Sequence, residues 1–365
     1  MSLLSLDEIK VLTEKQEGLC VSLFMPTHRM GSETQQNQIR FKNMLKKAEE
    51  ELIQSGMRNT NAKEFLKPAQ ELLNDLPFWR NQRDGLAFFL SPKNRRYFCL
   101  PVDFKELLVV ADQFHLKPLV PMLSGDVRYY ILAISKNEIR LIECTRFSAR
   151  RVDIQGLPEN LDAALNLDEY QKRLQRHAGT EDEKGKILLY FQEVDRGLRP
   201  FFRDKKTPLL FAGVDYLFPI YREANTYAHL CPRAISGNPE ELSEEELMED
   251  AGPVMEPYFE KVRKKSVDQF YEFYGTGRAS TGIEDIVKAA THARIATLFV
   301  ATGVQKWGTY DPGLDRVILS GQGSEGARDL LDFAAVETLL NGGLVYAVSP
   351  RDVPEKAAMA AVFRY

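Results

Sequence analysis

The stretch TGIEDIVKAATHARIATLFVATG, residues 281–303, decides the fold. Residues 282–292 read as a helix, and the apolar run ATLFVA at 296–301 fits a strand buried on both faces in a parallel arrangement. The loop-rich connection 303–323 holds a short apolar strand at 317–319. A second helix over 325–340 presents Leu330, Leu331, Ala334, Ala335 and Thr338 at spacings of three and four. Asn341, Gly342 and Gly343 end it, since glycine takes left-handed backbone without a Cβ clash. Strands at 344–348 and 360–363 follow. This alternation predicts an α/β/α sandwich, a module suited to docking.

The whole chain has 365 residues, too many for one ordinary core, so two or three domains are expected. Its 44% apolar and 27% charged content is that of a folded soluble protein. A net charge of −4 argues against a free, high-affinity nucleic-acid binder, without excluding a local basic face. Cys20, Cys99, Cys144 and Cys231 are far apart, sit mostly in apolar runs and lack metal-ligand or redox spacing, so buried reduced thiols are expected. The N-terminal MSLLSLDEIK lacks a signal pattern and no apolar run reaches membrane-spanning length, which points to the cytoplasm.

Earlier in the chain, LCVSLFM at 19–25 is a strand buried on both faces. It runs into the loop Pro26, Thr27, His28, Arg29. Ser32 and Gln35 have the spacing of a capping box at the start of a helix reaching about residue 54, with Phe41, Leu45, Ala48 and Leu52 inside. Gln36, Arg40, Asn43 and Lys47 share a neighbouring face. Arg29, Arg40, Lys42, Lys46 and Lys47 stand against Glu33 alone in this stretch. Thr27, His28, Arg29, Arg40 and Asn43 are therefore candidate contacts for an anion or an RNA backbone; the competing reading is a solvated helix face. A helix at 64–76 and strands at 86–90, 97–100 and 107–111 complete an α/β domain. Pro118, Pro121 and Ser124-Gly125-Asp126 read as a linker.

A hairpin follows at 129–134 and 139–144, with a third strand at 150–154. After a short helix comes the polar loop Arg176-His177-Ala178-Gly179-Thr180. A helix with Leu188, Phe191, Val194, Leu198 and Phe201 inside, a strand at 209–213 and a helical segment from 220 then appear. This is the order of a ribonuclease-H-like domain. Residues 239–250 are an acidic connector, and 257–274 a long charged helix.

No phosphate-binding GxxxxGK[ST], G-x-S-x-G, HExxH or Cys/His metal cluster is present. A two-metal nuclease needs converging carboxylates. The candidates are Asp126, Glu138, Glu143, Asp195 and Asp215, but alternation puts Glu138 and Glu143 on opposite strand faces. Arg173 and His177 are one helical turn apart, which makes Arg173, Arg176 and His177 candidate RNA contacts; an exposed, satisfied histidine is the alternative. Arg196, Arg199 and Arg203 form a helical stripe that could track phosphates or simply face solvent.

Several segments together carry a likeness: VSLFMPTHRMGSETQQNQIRFKNMLKKAEEEL (21–52), PFWRNQRDGLAFFLSP (77–92), FHLKPL (114–119), YFQEVDRGL (190–198) and AVFRY (361–365). With them the chain resembles the bacterial family related to archaeo-eukaryotic class-one release factors and Pelota. The resemblance implies three domains: an N-terminal α/β domain (1–122), a ribonuclease-H-like middle domain with its connector and long helix (123–275), and a C-terminal α/β/α sandwich of the kink-turn-binding ribosomal-protein type (276–365). It implies a ribosome-associated factor acting in rescue, hibernation or stress protection, contacting ribosomal RNA or tRNA, with no cofactor or metal.

Two departures qualify that. Release factors hydrolyse peptidyl-tRNA with a Gly-Gly-Gln loop, and this chain has none; His177, Ala178, Gly179 and Thr180 stand there, followed by Glu181, Asp182 and Glu183. That favours a non-hydrolytic, Pelota-like role. Kink-turn readers carry an Asn-Glu pair with a Lys three residues after the Glu, and here Glu284, Asp285 and Lys288 occupy the pattern. A carboxylate in place of the Asn weakens RNA contact, so these three become candidates for binding a protein such as a translational GTPase. The alternatives are a peptidyl-tRNA hydrolase or nuclease with a non-standard loop, or an interaction scaffold unrelated to the ribosome.

Overall fold

The computed structural model describes residues 4–14, 16–29, 33–123, 127–135, 137–158, 160, 183–321, 324 and 326–365. The chain divides into two compact units: Met1–Ser124 together with Lys265–Tyr365, and Gly125–Lys264 between them. The first and third of the three expected segments thus share one unit.

The chain opens with helix α1 (Leu6–Thr13) and strand β1 (Cys20–Pro26), then helices α2 (Thr34–Gln54), α3 (Asn59–Leu73) and α4 (Leu76–Arg80). Strands β2 (Gly85–Leu90), β3 (Arg95–Leu100) and β4 (Leu107–Ala111) complete an antiparallel sheet of order β3-β2-β1-β4. Alternation splits its side chains between two cores. Val21, Leu23 and Met25 pack under α2, α3 and α4 with Phe41, Leu45 and Trp79. Cys20 and Phe24 face the other way, against Ile9, Leu12, Phe104 and Phe114. Asp84-Gly85 is not a free turn: a Cβ on Gly85 would lie 2.1 Å from the Val102 carbonyl oxygen, so the strand can begin there only with glycine.

The prolines read as a linker lie in a short 3₁₀ turn, Lys117–Leu119, and in helix α5 (Val120–Leu123). Leu116, Leu119 and Val120 are buried there. A linker would expose its backbone, whereas this segment is the seam of the first unit. Ser124, Gly125 and Asp126, the rest of that reading, lie outside the described residues, as does Ser32 of the capping box. Glu33 precedes α2 without a side-chain cap.

The second unit holds β5 (Tyr129–Ile134), β6 (Ile139–Cys144), β7 (Ala149–Val152), α6 (Glu183–Phe202), β8 (Leu209–Gly213), α7 (Leu217–Ala224) and β9 (Leu230–Ser236). The sheet order is β7-β6-β5-β8-β9, antiparallel through the hairpin and parallel from β5 to β8 to β9. One face packs on α6 and α7 through Phe191, Phe211 and Tyr221. The other packs on helix α8 (Glu244–Phe273) through Leu247, Ala251, Met255 and Phe259. The second half of the acidic connector is therefore helix, because its Leu247 and Met248 have a sheet to cover. The boundary between the units falls within α8.

The final segment contains β10 (Ala279–Ser280), α9 (Ile283–Thr291), β11 (Ile295–Ala301), β12 (Trp307–Asp311), β13 (Arg316–Leu319), β14 (Arg328–Asp329), α10 (Leu330–Leu340), β15 (Leu344–Val348) and β16 (Met359–Phe363). The main sheet runs β10-β16-β11-β15, with β11 and β15 parallel; β12, β13 and β14 form a smaller antiparallel sheet. Helices α9 and α10 cover one face of the main sheet, and Val267 and Phe270 of α8 meet Phe299 and Tyr346 on the other. Helix α10 starts five residues later than its periodicity suggests, because Asp329 caps it by accepting the Leu331 amide at 3.2 Å. Its end is a Schellman motif: Gly342, at φ +70°, donates to Leu339 and Gly343 donates to Thr338.

The seam joins these two segments around a buried charge cluster. The Lys117 ammonium donates to Asp329 at 2.8 Å and to the Val304 carbonyl. Asp332 accepts the Leu116 amide at 2.6 Å and the Lys117 amide. His115 lies 3.8 Å from Asp329 and 3.6 Å from Asp332, and its amide donates to Ser22 in β1. Burial pushes Asp332 up to about 6. Burial and the Lys117 charge push His115 down to about 3, so it is neutral.

Lys117→Met would leave Asp329 buried without its counter-charge, and a loss of about 3–5 kcal/mol is expected from denaturant unfolding. A pH series tests the other members. Below its ordinary pKa of 6.5 the unfolded chain protonates His115 while the folded chain does not, so acidification costs about 1.4 kcal/mol per pH unit. Asp332 acts oppositely between about 6 and 3.8, where only the folded chain takes the proton. The two contributions offset each other in the native protein. In Asp332→Asn, stability should therefore fall more steeply between pH 6 and 4, by about 1.4 kcal/mol per unit.

Candidate functional site

At the junction of β1 and α2 the loop backbone is fixed by side chains. The Thr27 hydroxyl donates to the Arg83 carbonyl at 2.7 Å, and its amide donates to the Asp84 carbonyl at 2.8 Å. Asn37, fully buried in the first turn of α2, accepts the His28 amide and donates to the His28 carbonyl, both at 3.0 Å. This is a two-point clamp on the backbone of one residue.

The cations of this loop are paired within the protein. Arg29 makes a bidentate contact to Asp84 at 2.8 and 2.7 Å. Arg40 donates to the Pro26 carbonyl at 2.9 Å and meets Glu106 at 3.0 Å. The His28 ring lies 3.4 Å from Glu33. Bidentate geometry makes such pairs specific as well as attractive, so the loop is close to neutral. The exposed positive charge sits about two to four turns along α2, on Lys42, Lys46 and Lys47 beside Asn43. Asp84 and Glu106 are 55 and 66 residues from the arginines they hold, and sequence reasoning missed them together with Asn37.

At the start of α9, Glu284 and Lys288 form an ion pair at 2.9 Å, which raises the Lys288 pKa. Asp285 accepts the Ser280 hydroxyl at 3.0 Å, and that oxygen accepts the Gly282 amide at 3.0 Å. Ser280, Asp285 and Lys288 border an open groove of about 720 Å³ shared with His292, Arg294 and Asp315. Arg173, Arg176 and His177 lie outside the described residues.

The carboxylates weighed for a nuclease do not converge. Glu143 pairs with Arg150 at 2.6 Å, and Glu138 with Arg151 at 2.9 Å. Asp195 is buried beneath Arg199 and Thr226, Asp215 is exposed, and Asp126 is not among the described residues. Among the described residues no group of three or more His, Cys, Asp or Glu could hold a metal ion. All four cysteines are unpaired, and burial pushes Cys20 and Cys144 up to about 12 and Cys99 up to about 11, far from thiolate reactivity. No described helix is long and apolar enough to cross a membrane.

Residues 128–294, from the sheet of the second unit through α9, match the family model described as bacterial archaeo-eukaryotic release factor family 3. That stretch is release-factor-like. Among solved structures, the chain is similar to an archaeal translation termination factor, aRF1 (14% identity, 99% of each chain, TM-score 0.25). It is similar also to Pelota in a model of ribosome-bound archaeal Pelota and ABCE1 (12% identity, 99% of this chain and 94% of that one, TM-score 0.37). A third is Archaeoglobus fulgidus Pelota (13% identity, 99% and 92%, TM-score 0.34). No curated protein matches significantly.

Asn37→Ala removes both contacts to His28 and leaves a backbone amide and carbonyl to find water. A loss of about 1–3 kcal/mol in chemical denaturation is expected, with faster amide exchange at His28 than at β1.

Proposed function

We propose that this protein is a ribosome-associated translation factor that acts in rescue, hibernation or stress protection without hydrolysing peptidyl-tRNA. The observation that carries the reading is the family match over 128–294 in a chain whose full sequence holds no Gly-Gly-Gln. The chemistry of release needs that loop to seat a water at the ester; the acids at 181–183 would instead repel the phosphates around a tRNA terminus.

The topology supports the finer assignments. An antiparallel hairpin sheet extended by two parallel strands, with helices on both faces, is the arrangement of a ribonuclease-H-like domain. The main sheet of the last segment, layered between α9–α10 and the end of α8, suits the kink-turn-binding ribosomal-protein type. Within that type the Glu284–Lys288 pair takes up the lysine that would meet RNA, so this end of the molecule docks a protein, with a translational GTPase as the candidate. The surface for RNA is the exposed face of α2 with Lys42, Asn43, Lys46 and Lys47, rather than the internally paired loop before it. The place of action is the cytoplasm.

Sucrose-gradient sedimentation tests this. The wild-type protein should travel with ribosomal particles at low salt and leave them as salt rises. Lys42→Glu with Lys46→Glu and Lys47→Glu should move it to the top fractions while its thermal unfolding stays cooperative. Wild-type protein that remains in the top fractions under both growth and starvation would overturn the ribosomal reading. Accelerated peptide release from stalled ribosomes would overturn the non-hydrolytic part.

A further inference from the structure

The second unit carries an open cleft of about 640 Å³ between the end of α6, the start of β8 and the connection from α7 to β9. That volume is within the range of small-molecule sites. Its floor holds two polar atoms that the fold leaves unmet. Tyr221 is fully buried and its hydroxyl has no partner among the described residues; Asn225 Oδ1, also shielded from solvent, has none either. The other end of the Asn225 amide donates to the Tyr227 carbonyl at 2.9 Å. Burial next to Asp195 keeps the Tyr221 phenol protonated, so the floor presents one donor and one acceptor. Buried polar atoms are nearly always satisfied, and two orphans on one cleft floor call for a ligand.

The walls are pinned. Asp195 accepts the Thr226 amide and hydroxyl, both at 2.8 Å, and pairs with Arg199 at 2.9 Å. That consumes the charge of Arg199. Lys205 sits 3.1 Å from the centre of the Phe201 ring and donates to the Tyr130 hydroxyl at 3.3 Å. Arg203 and Lys206 are exposed at the rim, without a carboxylate partner among the described residues. Three cations, Arg203, Lys205 and Lys206, thus face one remaining acid, Asp204.

We propose that this cleft binds a small phosphate monoester of nucleotide size, its phosphate at Arg203 and Lys206 and a polar edge of its organic part on the Tyr221 hydroxyl and Asn225 Oδ1. The two ends make different demands: the rim selects charge, and the floor selects a group that both accepts and donates. The site stands independently of the ribosomal reading.

Titration calorimetry on the full-length protein with AMP, GMP, ribose 5-phosphate, adenosine, inorganic phosphate and a polyribonucleotide, poly(A), tests it. At least one of the three monoesters should bind saturably and more tightly than adenosine or inorganic phosphate. Arg203→Ala with Lys206→Ala should weaken that monoester about tenfold or more. Tyr221→Phe removes only a hydroxyl with no internal partner, so thermal stability should hold while the monoester binds about tenfold more weakly and inorganic phosphate is unaffected. Absence of saturable binding by every monoester would overturn the proposal. So would unchanged affinity in Tyr221→Phe, or binding confined to a polyribonucleotide, which would make the rim an RNA surface.

Discussion

Lys117 cannot be buried without Asp329, and Asp329 cannot be buried without Lys117. An ammonium and a carboxylate taken out of water each cost several kcal/mol, and the cost is recovered only where the partner and the remaining hydrogen bonds are in place. Here they come from sequence positions 212 apart. Asp332 adds a second cross-link by accepting the amides of Leu116 and Lys117, which caps the start of the 3₁₀ turn from the opposite end of the chain. The energy of the seam comes chiefly from Leu116, Leu119 and Val336, each contributing about 1.5–3 kcal/mol on burial. The ions contribute little net stability and instead fix which residues meet.

That constraint explains why the first and last segments form one unit, and what each can present. The N-terminal sheet spends one face on α2, α3 and α4 and the other on α1 and the seam, leaving the outer face of α2 as its charged surface. The final sheet is covered on both faces too, so the groove at the start of α9 is its recessed surface. The second unit builds its own cleft, where an arginine is already committed to a buried aspartate and the free cations lie at the rim.

Strands with continuous apolar runs were legible in the sequence: 107–111, 129–134, 139–144 and 209–213 have the bounds that the period of two and the turn residues suggest. Strand β9 was not, since LCPRAIS carries Pro232 and Arg233; it lies at a sheet edge, where a proline costs no ladder bond. Strand β12 hid behind Gly308, which is needed because a Cβ there would lie 2.5 Å from the Ile318 carbonyl oxygen. The supposed linker misled for a different reason. Its prolines are local signals, while the aspartates that bury it are about 215 residues away. The cationic loop misled in the same way: Arg29 and Arg40 read as free because Asp84 and Glu106 are distant in sequence. Local chemistry was readable, and pairing across the fold was not.

The central claim is that the buried cluster makes the two ends of the chain one cooperative body. Native-state hydrogen exchange at Leu116 and Lys117, whose amides donate to Asp332, tests it most directly. These two amides should open with the same free energy as the core amides of β1 and β11, only on global unfolding of the unit. Fast exchange at Leu116 and Lys117 while both sheets stay protected would contradict the account.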